Sequence, residues 1–231
     1  MKPRIYHRND CSQAQGLCVI IDVLRAFTTS AYAFDSGAKE IIMVSSAEEA
    51  FKKHRSDNSL ILMGENDGKP IKGFHFDNSP KEMQRTSFEG RSLVQRTTSG
   101  TQGVVACKDA QEMLVASFVV AEATLRLIKK INLWNVSFIV TGRTNGDEDL
   151  ALAEYLQERL LGRKISVEPF LARVRNSPAA KRMLASDPKE YPFAKEDLSL
   201  ALDINRFNFA MQVSKQDGDL ISRKVPMLQD H

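Results

Sequence analysis

Four short polar clusters in this chain each follow a hydrophobic run. They cover residues 22–29, 73–80, 97–101 and 146–149. Between them they supply carboxylates, an arginine, hydroxyl groups and backbone amides next to glycine. Oxygen ligands suit a hard cation such as Mg²⁺, and arginine, hydroxyl and amide donors suit the oxygens of a phosphate ester. The residue types therefore indicate chemistry on a phosphorylated small molecule.

Acidic residues near these clusters are the candidate cation ligands. They are Asp22, Glu65, Glu148 and Asp149. The 97–101 cluster places four hydroxyl side chains around one glycine, where the backbone can approach an anion closely and the hydroxyls can donate to it. Together these positions predict a cation site beside an anion-binding loop.

Each of these residues also has a purely structural interpretation. Aspartate is a strong helix N-cap, so Asp22 taken alone is better explained by capping the helix that follows it, through amides two or three residues on. Glu148 and Asp149 lie in the predicted first turn of a helix, where the helix dipole favours acidic residues without any function. Arg25 opposes the dipole of its own helix and needs a nearby anion, either Asp22 or a phosphate. The 97–101 cluster equally fits a polar turn.

Strand and helix signals alternate along the chain, as in an α/β fold. Strands are predicted at 17–23, 40–44, 60–63, 92–95, 114–117 and 136–140, and helices at 26–34, 46–54, from Pro80, 101–106, 119–130 and 148–161. The first run is continuously apolar, as a strand buried on both faces requires. Residues 64–76 lack any period and predict a functional loop. In an open α/β sheet, ligands bind at the carboxyl ends of the strands, so the clusters should converge on one crevice.

The pattern loosens after residue 177. A helix begins at Ser177-Pro178, a second fits 197–202, and the segments 209–213 and 220–224 around Asp217-Gly218 predict a hairpin. The expected fold class is α/β, with a mixed or doubly wound sheet flanked by helices and a less regular helical and hairpin C-terminal part. We expect a single α/β chain over 1–231, with a division into two lobes, 1–105 and 106–231, as the alternative.

Composition narrows the range of partners. The 231 residues are 42% hydrophobic, which is enough to bury a full core. The 32 basic and 29 acidic residues leave a net charge of +3, so we expect a small anionic molecule and no nucleic acid. Three cysteines without CxxC spacing suit a reducing cytoplasm. No apolar run reaches membrane-spanning length, and the first four residues lead into a polar segment, so we expect a cytoplasmic protein without a membrane partner. Association into a homo-oligomer stays open.

Taken in order, the clusters resemble the 2-phosphosulfolactate phosphatase family. The resemblance rests on the runs 22–29, 64–66, 73–80, 97–101 and 148–149 and covers about residues 17–160. The ordered combination is more specific than any single motif. It implies an α/β, magnesium-dependent acid phosphatase that hydrolyses 2-phospho-3-sulfolactate to 3-sulfolactate and phosphate on a route to coenzyme M.

The resemblance also implies roles for individual residues. The catalytic residues are Asp22, Arg25 and Glu148, and the Mg²⁺ ligands come from Asp22, Glu65, Glu148 and Asp149. The substrate-binding residues are Thr28, Thr29, Asn78, Ser79, Thr97, Thr98, Ser99, Gly100 and Thr101. In this scheme water attacks in line while Arg25 and the 97–101 loop stabilise the phosphoryl oxygens, because phosphoryl transfer depends mostly on positioning and charge neutralisation.

Several positions depart from the family pattern, which has arginine at Asn66, glycine at Asp77 and asparagine at Ser99. The first change removes a bidentate anion clamp and the second adds negative charge. Both weaken the case for a doubly anionic sulfonate substrate. The changes at Asn66, Asp77 and Ser99 together favour an alternative, a non-catalytic module of the same fold that binds a phosphorylated metabolite or a protein partner. A further alternative, an aspartyl-phosphate phosphatase with Asp22 as nucleophile, needs a second acid two positions later, where Leu24 stands.

Overall fold

This computed structural model describes residues 1–142, 147–189 and 191–227, with the exception of the Ser12 side chain. Within these residues, ten strands form one mixed sheet. The strands are β1 (Lys2–His7), β2 (Leu17–Ile21), β3 (Glu40–Met43), β4 (Ile61–Asn66), β5 (Lys69–Pro70), β6 (Ser92–Arg96), β7 (Glu112–Ala116), β8 (Asn135–Val140), β9 (Phe209–Gln216) and β10 (Asp219–Pro226). Their order across the sheet is β1-β8-β2-β7-β9-β10-β3-β6-β4-β5.

Helices cover this sheet in the same described ranges. The α-helices are α1 (Ala26–Asp35), α2 (Ala47–Ser56), α3 (Pro80–Gln84), α4 (Gly100–Ala106), α5 (Ala121–Ile131), α6 (Asp147–Leu160), α7 (Glu168–Asn176), α8 (Pro178–Leu184) and α9 (Ala194–Ala201). Two short 3-10 helices occupy Arg8–Gln13 and Phe118–Val120. In the described part of the chain, no helix has the length and apolar character that crossing a membrane requires.

The sheet consists of two parallel groups joined by an antiparallel hairpin. β1, β8, β2 and β7 pair in parallel, and so do β3, β6 and β4. Between the groups lies the C-terminal hairpin, with β9 antiparallel to β7 and β10 antiparallel to β3. The last strands of the described chain therefore occupy the middle of the sheet.

The segments that follow β2 and β6 lie close together, although four strands separate β2 from β6 in the sheet. β7, β9, β10 and β3 lie between these two strands, a separation of about 24 Å in a flat sheet at ~4.8 Å per strand. Nevertheless, a Cβ atom on Gly100, after β6, would lie 2.9 Å from Asp22 Oδ2, after β2. Glycine at 103 allows α4 to approach β2, because a Cβ there would lie 2.8 Å from a methyl of Ile20. Residues that follow both parallel groups therefore face one another.

β2 is buried on both faces, as its sequence predicts. Cys18 and Ile20 pack in one core cluster with residues of α1, and Leu17, Val19 and Ile21 pack in a second with residues of α5 and α6. Each of the five is at most 1% exposed. Successive strand residues point to opposite faces, so the apolar run supplies both layers of the core.

The predicted fold class is confirmed, since the chain is α/β with a mixed sheet flanked by helices. The C-terminal hairpin is present, and Ser79 caps α3 by accepting the amide of Glu82, as the capping pattern predicts. Sequence reasoning missed β1, β5 and α7. The opening segment gave only a polar signal in sequence. The reason is that β1 lies at the edge of the sheet, where its residues are exposed or half-buried and need not be apolar. The two-lobe division stays a prediction; strands from both sides of residue 105 pair, as β2 does with β7 and β8.

Candidate active site

A cavity of about 380 Å³ opens where β2, β4 and β6 end. Eight of the predicted site residues line it: Asp22, Arg25, Glu65, Asn78, Thr98, Ser99, Glu148 and Asp149. The expectation that several strand ends supply one crevice is therefore met for these residues. Gly146, the first residue of the fourth polar cluster, lies outside the described residues.

Asp22 receives donors from the starts of two helices. Its Oδ1 accepts the amide of Ala26, at the start of α1, at 2.9 Å, and the amide of Gly100, at the start of α4, also donates to the carboxylate. The N-cap of α1 is Arg25 and no side chain caps this helix, so Asp22 is not its N-cap; it accepts the first helical amide from four residues back. Burial raises the pKa of Asp22 to about 7, and the charges of Glu65 and Glu148 add to the rise while both amides oppose it.

The two acidic residues of α6 have different partners. Asp149 accepts the amide of Val23 at 2.8 Å and the amide of Gly142 at 3.0 Å, so it ties α6 to the ends of β2 and β8. Glu148, only 7% exposed, receives no donor from the described residues except its own backbone amide. Burial raises the pKa of both, and the charges of Asp22 and Glu148 raise that of Asp149 further. Asp149 therefore holds the backbone, and Glu148 presents open oxygens.

Glu65 occupies the loop that was expected to bind an anion. The amide of Thr98 donates to its Oε1 at 2.5 Å, and the Thr98 hydroxyl and the amide of Gly68 donate to its Oε2. The loop thus binds a carboxylate as predicted for an anion, but the carboxylate belongs to the protein. Ser99, which is half-buried and lines the cavity, is the hydroxyl of this loop left closest to a substrate.

Five predicted substrate-binding side chains are buried and do not line the cavity. They are Thr28, Thr29, Ser79, Thr97 and Thr101, each at most 3% exposed. Thr28 donates to the carbonyl of Val23, Ser79 donates to Asp197, and the hydroxyls of Thr97 and Thr101 each accept the amide of the other residue. Thr29 Oγ1 is buried without a partner among the described residues. These placements give the four bonded hydroxyls structural roles, because hydroxyls satisfied on nearby backbone groups stabilise turns and helix starts. Gly100 contributes its amide to Asp22.

Arg25 is buried and paired with residues far along the chain. Its Nη1 donates to Asp197 Oδ2 at 2.7 Å, and its guanidinium lies 4.0 Å from the ring centre of Tyr191. The carboxylate that compensates the charge of Arg25 is therefore that of Asp197. The sequence analysis had offered Asp22 or a phosphate instead. Nη2 lies 3.8 Å from Asp77 Oδ2 and has no hydrogen-bond partner among the described residues. A buried donor left in this way costs about 1–3 kcal/mol, so an oxygen of a bound ligand would stabilise it.

The family model described as 2-phosphosulpholactate phosphatase matches residues 4–216. The chain belongs to this family. A protein named probable 2-phosphosulfolactate phosphatase from Bacillus subtilis (strain 168) is 35% identical over 204 residues, which cover 87% of this chain and 88% of that relative. Proteins of the same name from Clostridium perfringens (strain SM101 / Type A) and Caldicellulosiruptor saccharolyticus are each 35% identical, over 64% and 60% of this chain and 62% and 57% of their own length. The family resemblance of the clusters is confirmed, and it extends beyond residues 17–160.

This family member also has site residues that sequence reasoning missed. The cavity is also lined by Lys69, Arg182 and Tyr191. In addition, Asp197 accepts a hydrogen bond from the Arg25 guanidinium. No sequence signal connects Asp197 with Arg25, since 172 positions separate them. No sequence signal singles out Arg182 either, because its place at the cavity depends on the packing of α8 against α9.

The carboxylates of the cavity can be compared with the ligands that a magnesium ion uses. Among the described residues, no group of three or more His, Cys, Asp or Glu side chains is arranged to hold a metal ion. Mg²⁺, however, usually keeps several waters and is bound by one or two carboxylates together with substrate phosphates. Glu148 has open oxygens. In Asp22, Oδ1 accepts the amide of Ala26 and Oδ2 lies 3.5 Å from the Thr141 hydroxyl, and the amide of Gly100 also donates to the carboxylate. Asp22, Glu65 and Asp149 each accept two backbone amides, whereas Glu148 accepts only its own. All four carboxylates stay candidate ligands.

Proposed function

We propose that this family member is a magnesium-dependent acid phosphatase that hydrolyses 2-phospho-3-sulfolactate, or a related small phosphorylated hydroxy acid, to the hydroxy acid and phosphate. Membership of the family over residues 4–216 supports a phosphatase of this kind. The observation that carries the proposal is one cavity lined together by Asp22, Arg25 and Glu148, in which Glu148 has open oxygens. Phosphoryl transfer needs both a cation site and donors for the phosphoryl oxygens.

Each residue of the cavity has a distinct role in this scheme. Asp22 and Glu148 would hold Mg²⁺, which supplies charge neutralisation at the phosphoryl group when bound. Arg25 donates Nη2 to a phosphoryl oxygen, and Ser99 offers a hydroxyl to the same group. Water attacks the phosphorus in line with the leaving oxygen; attack by the Asp22 carboxylate itself is the alternative route.

The size of the cavity agrees with a small substrate. Its volume of about 380 Å³ lies at the lower end of the range for ligand pockets, roughly 300–1,000 Å³. The proposal also includes the cytoplasmic location and the route to coenzyme M that the composition and the family resemblance indicate.

A phosphate-release assay on the purified protein tests the proposal. We expect Mg²⁺-dependent release from 2-phospho-3-sulfolactate, abolished by a chelator, and a loss of at least ~100-fold in turnover in Asp22→Asn and in Glu148→Gln, as for removal of a charge that stabilises the transition state. Asp147→Asn is the matched control, because Asp147 precedes Glu148 in α6 but pairs with Arg173 outside the cavity. Unchanged turnover in both site variants would show that the assignment is wrong.

The second candidate is a binding module of the same fold. It is favoured by two observations: Glu65 already fills the 97–101 loop, and Asp77 lies 3.8 Å from the Arg25 donor that a phosphate would use. Titration calorimetry with 2-phospho-3-sulfolactate distinguishes the candidates. Binding without release of phosphate in Mg²⁺ supports the module, and turnover of any phosphate ester excludes it.

A further inference from the structure

The charged residues of the cavity differ between its base and its rim. Its base holds the buried carboxylates of Asp22, Glu65, Glu148 and Asp149, each at most 7% exposed. Its rim holds the exposed side chains of Lys69 and Arg182 together with that of Asp67. The two cations come from different elements, β5 and α8, so the rim offers positive charge at two separate points of the chain.

Neither rim cation is neutralised by a neighbour. Within the ranges that the structure describes, Lys69 and Arg182 form no ion pair, whereas Arg173 of the adjacent helix α7 binds Asp147 and Glu154. Arg182 lines the same cavity as Asp22 and Glu148. It therefore lies beside the proposed reacting centre with its donors available.

The position of Arg182 is set by the packing of α8. Ser177 caps this helix by accepting the amide of Ala180 at 3.1 Å, and Ala180 and Met183 pack against Leu198 of α9. One face of the α8 segment, at positions 179, 182, 183 and 186, lines the cavity, and Arg182 supplies its charge. The arginine thus extends from a fixed helix rather than from a loop.

Lys69 is placed by the β4–β5 hairpin. It pairs with Asn66 across this hairpin, beside Glu65. Asn66 itself is engaged, since its Oδ1 accepts a hydrogen bond from Arg96 at 2.7 Å. The hairpin therefore brings a cation to the cavity through position 69.

We propose that Arg182 and Lys69 bind the second anionic group of the substrate, the sulfonate or carboxylate that does not react. This inference rests on the proposed function. The carboxylates at the base repel a second anion unless a cation shields them, while an arginine fork and an ammonium group attract it. The ester is thereby oriented with its phosphoryl group toward Asp22 and Glu148 and its other anion toward the rim. Selectivity for phosphate esters with a second negative charge follows.

The test compares two esters in one variant. In Arg182→Ala we expect kcat/KM for 2-phospho-3-sulfolactate to fall about 10- to 100-fold, the size of one charged hydrogen-bonded contact. For glycerol 2-phosphate, which lacks the second anion, we expect less than about a threefold change by the same reasoning. Lys69→Ala should show the same selectivity with a smaller loss, since an ammonium group does not form the paired bonds of an arginine. Lys181→Ala is the matched control, because Lys181 is the exposed neighbour of Arg182 in α8 and does not line the cavity.

Equal losses for both esters in Arg182→Ala, or no loss for either, would overturn the inference. Calorimetry with the unphosphorylated 3-sulfolactate tests the rim without any turnover. We expect it to bind the parent protein at least ~10-fold more tightly than it binds Arg182→Ala. Equal affinities would again contradict the role of Arg182. The parent protein could bind 3-sulfolactate more tightly than Arg182→Ala does and still hydrolyse no ester. That result would support the rim site and contradict only the phosphatase proposal.

Discussion

Two regions of the molecule contribute to the cavity in different ways. Residues 17–160 contain the polar clusters, and these clusters follow strands of the parallel groups. Residues 161–227 contain no recognisable cluster, yet they supply Arg182 and Tyr191 to the cavity, Asp197 to Arg25, and the hairpin β9–β10 to the middle of the sheet. The first region presents the reactive groups, and the second holds and surrounds them.

This difference shows how a site can be visible in sequence and still be incomplete. Reactive groups at strand ends occur in short runs, because one turn carries several of them. Supporting groups meet the site from helices whose sequences serve mainly their own packing, so each contributes one residue. Asp197 illustrates this: α9 packs through Leu198 and Ala201, and only its aspartate reaches Arg25.

The largest expected effect comes from removing Asp197. Asp197→Ala leaves Arg25 buried without its closest anion and also removes the acceptor for Ser79 and for the amide of Lys81. We expect the free energy of unfolding to fall by about 3–5 kcal/mol, as when one partner of a buried ion pair is deleted. Urea denaturation measures it. In the control Asp203→Ala, which removes an exposed pair with Arg206 at 3.9 Å, we expect a loss below ~0.5 kcal/mol. Similar losses in the two variants would show that the C-terminal region does not support Arg25.

A smaller effect is expected from the pH dependence that Asp77 contributes from the first region. Burial raises the pKa of Asp77 to about 6, although Arg25 opposes the rise. The ordinary value of 3.8 applies in the unfolded chain, so this contribution to stability is complete below that value and is lost as the pH rises through about 6. Between pH 5 and pH 8 the parent should lose about 1–1.5 kcal/mol more of its free energy of unfolding than Asp77→Asn does.

Thermal unfolding at pH 5 and pH 8 in the presence of a chelator measures this difference. Asp57→Asn is the control, because hydrogen bonds from Ser59 lower the pKa of Asp57, and its titration is complete below pH 5. An equally steep fall of stability in Asp77→Asn and in the parent would contradict the prediction.

The smallest expected effect concerns Tyr191. Its ring lies 4.0 Å from the Arg25 guanidinium, and Tyr191→Leu keeps apolar contact but removes the cation–π interaction, which is worth about 0.5–2 kcal/mol. We expect that loss in urea denaturation together with a higher KM for the phosphate ester, since Arg25 is held less firmly. Phe193→Leu serves as control because its ring lies 5.7 Å from Arg85, which does not line the cavity. A larger loss of stability in Phe193→Leu than in Tyr191→Leu would contradict the role of Tyr191 in holding Arg25.

Much of the fold and part of the site were predictable from sequence. The apolar run of β2 required burial on both faces, Ser79-Pro80 marked the start of α3, and Asp217-Gly218 marked the hairpin turn. The position of that hairpin between β7 and β3 was not predictable, because strand pairing depends on contacts that sequence period does not encode. The partners of Arg25 were missed for the same reason. Substrate binding by the 97–101 loop stays a prediction; the contact of Thr98 with Glu65 was not predictable, because it depends on how β4 and β6 end side by side.

Sequence by itself determined the α/β class, the family and the places where reactive groups follow strands, because these properties reside in local runs of apolar and polar residues. The tertiary structure decided which of those groups face the cavity. In the fold, Gly100 lies next to Asp22. The hydroxyls of Thr28, Thr97 and Thr101 form hydrogen bonds inside the protein and do not face the cavity. Helices α8 and α9 add Arg182 to the cavity lining and Asp197 to the support of Arg25. Burial and hydrogen bonding act between segments far apart in the chain, and only their packing in three dimensions specifies them.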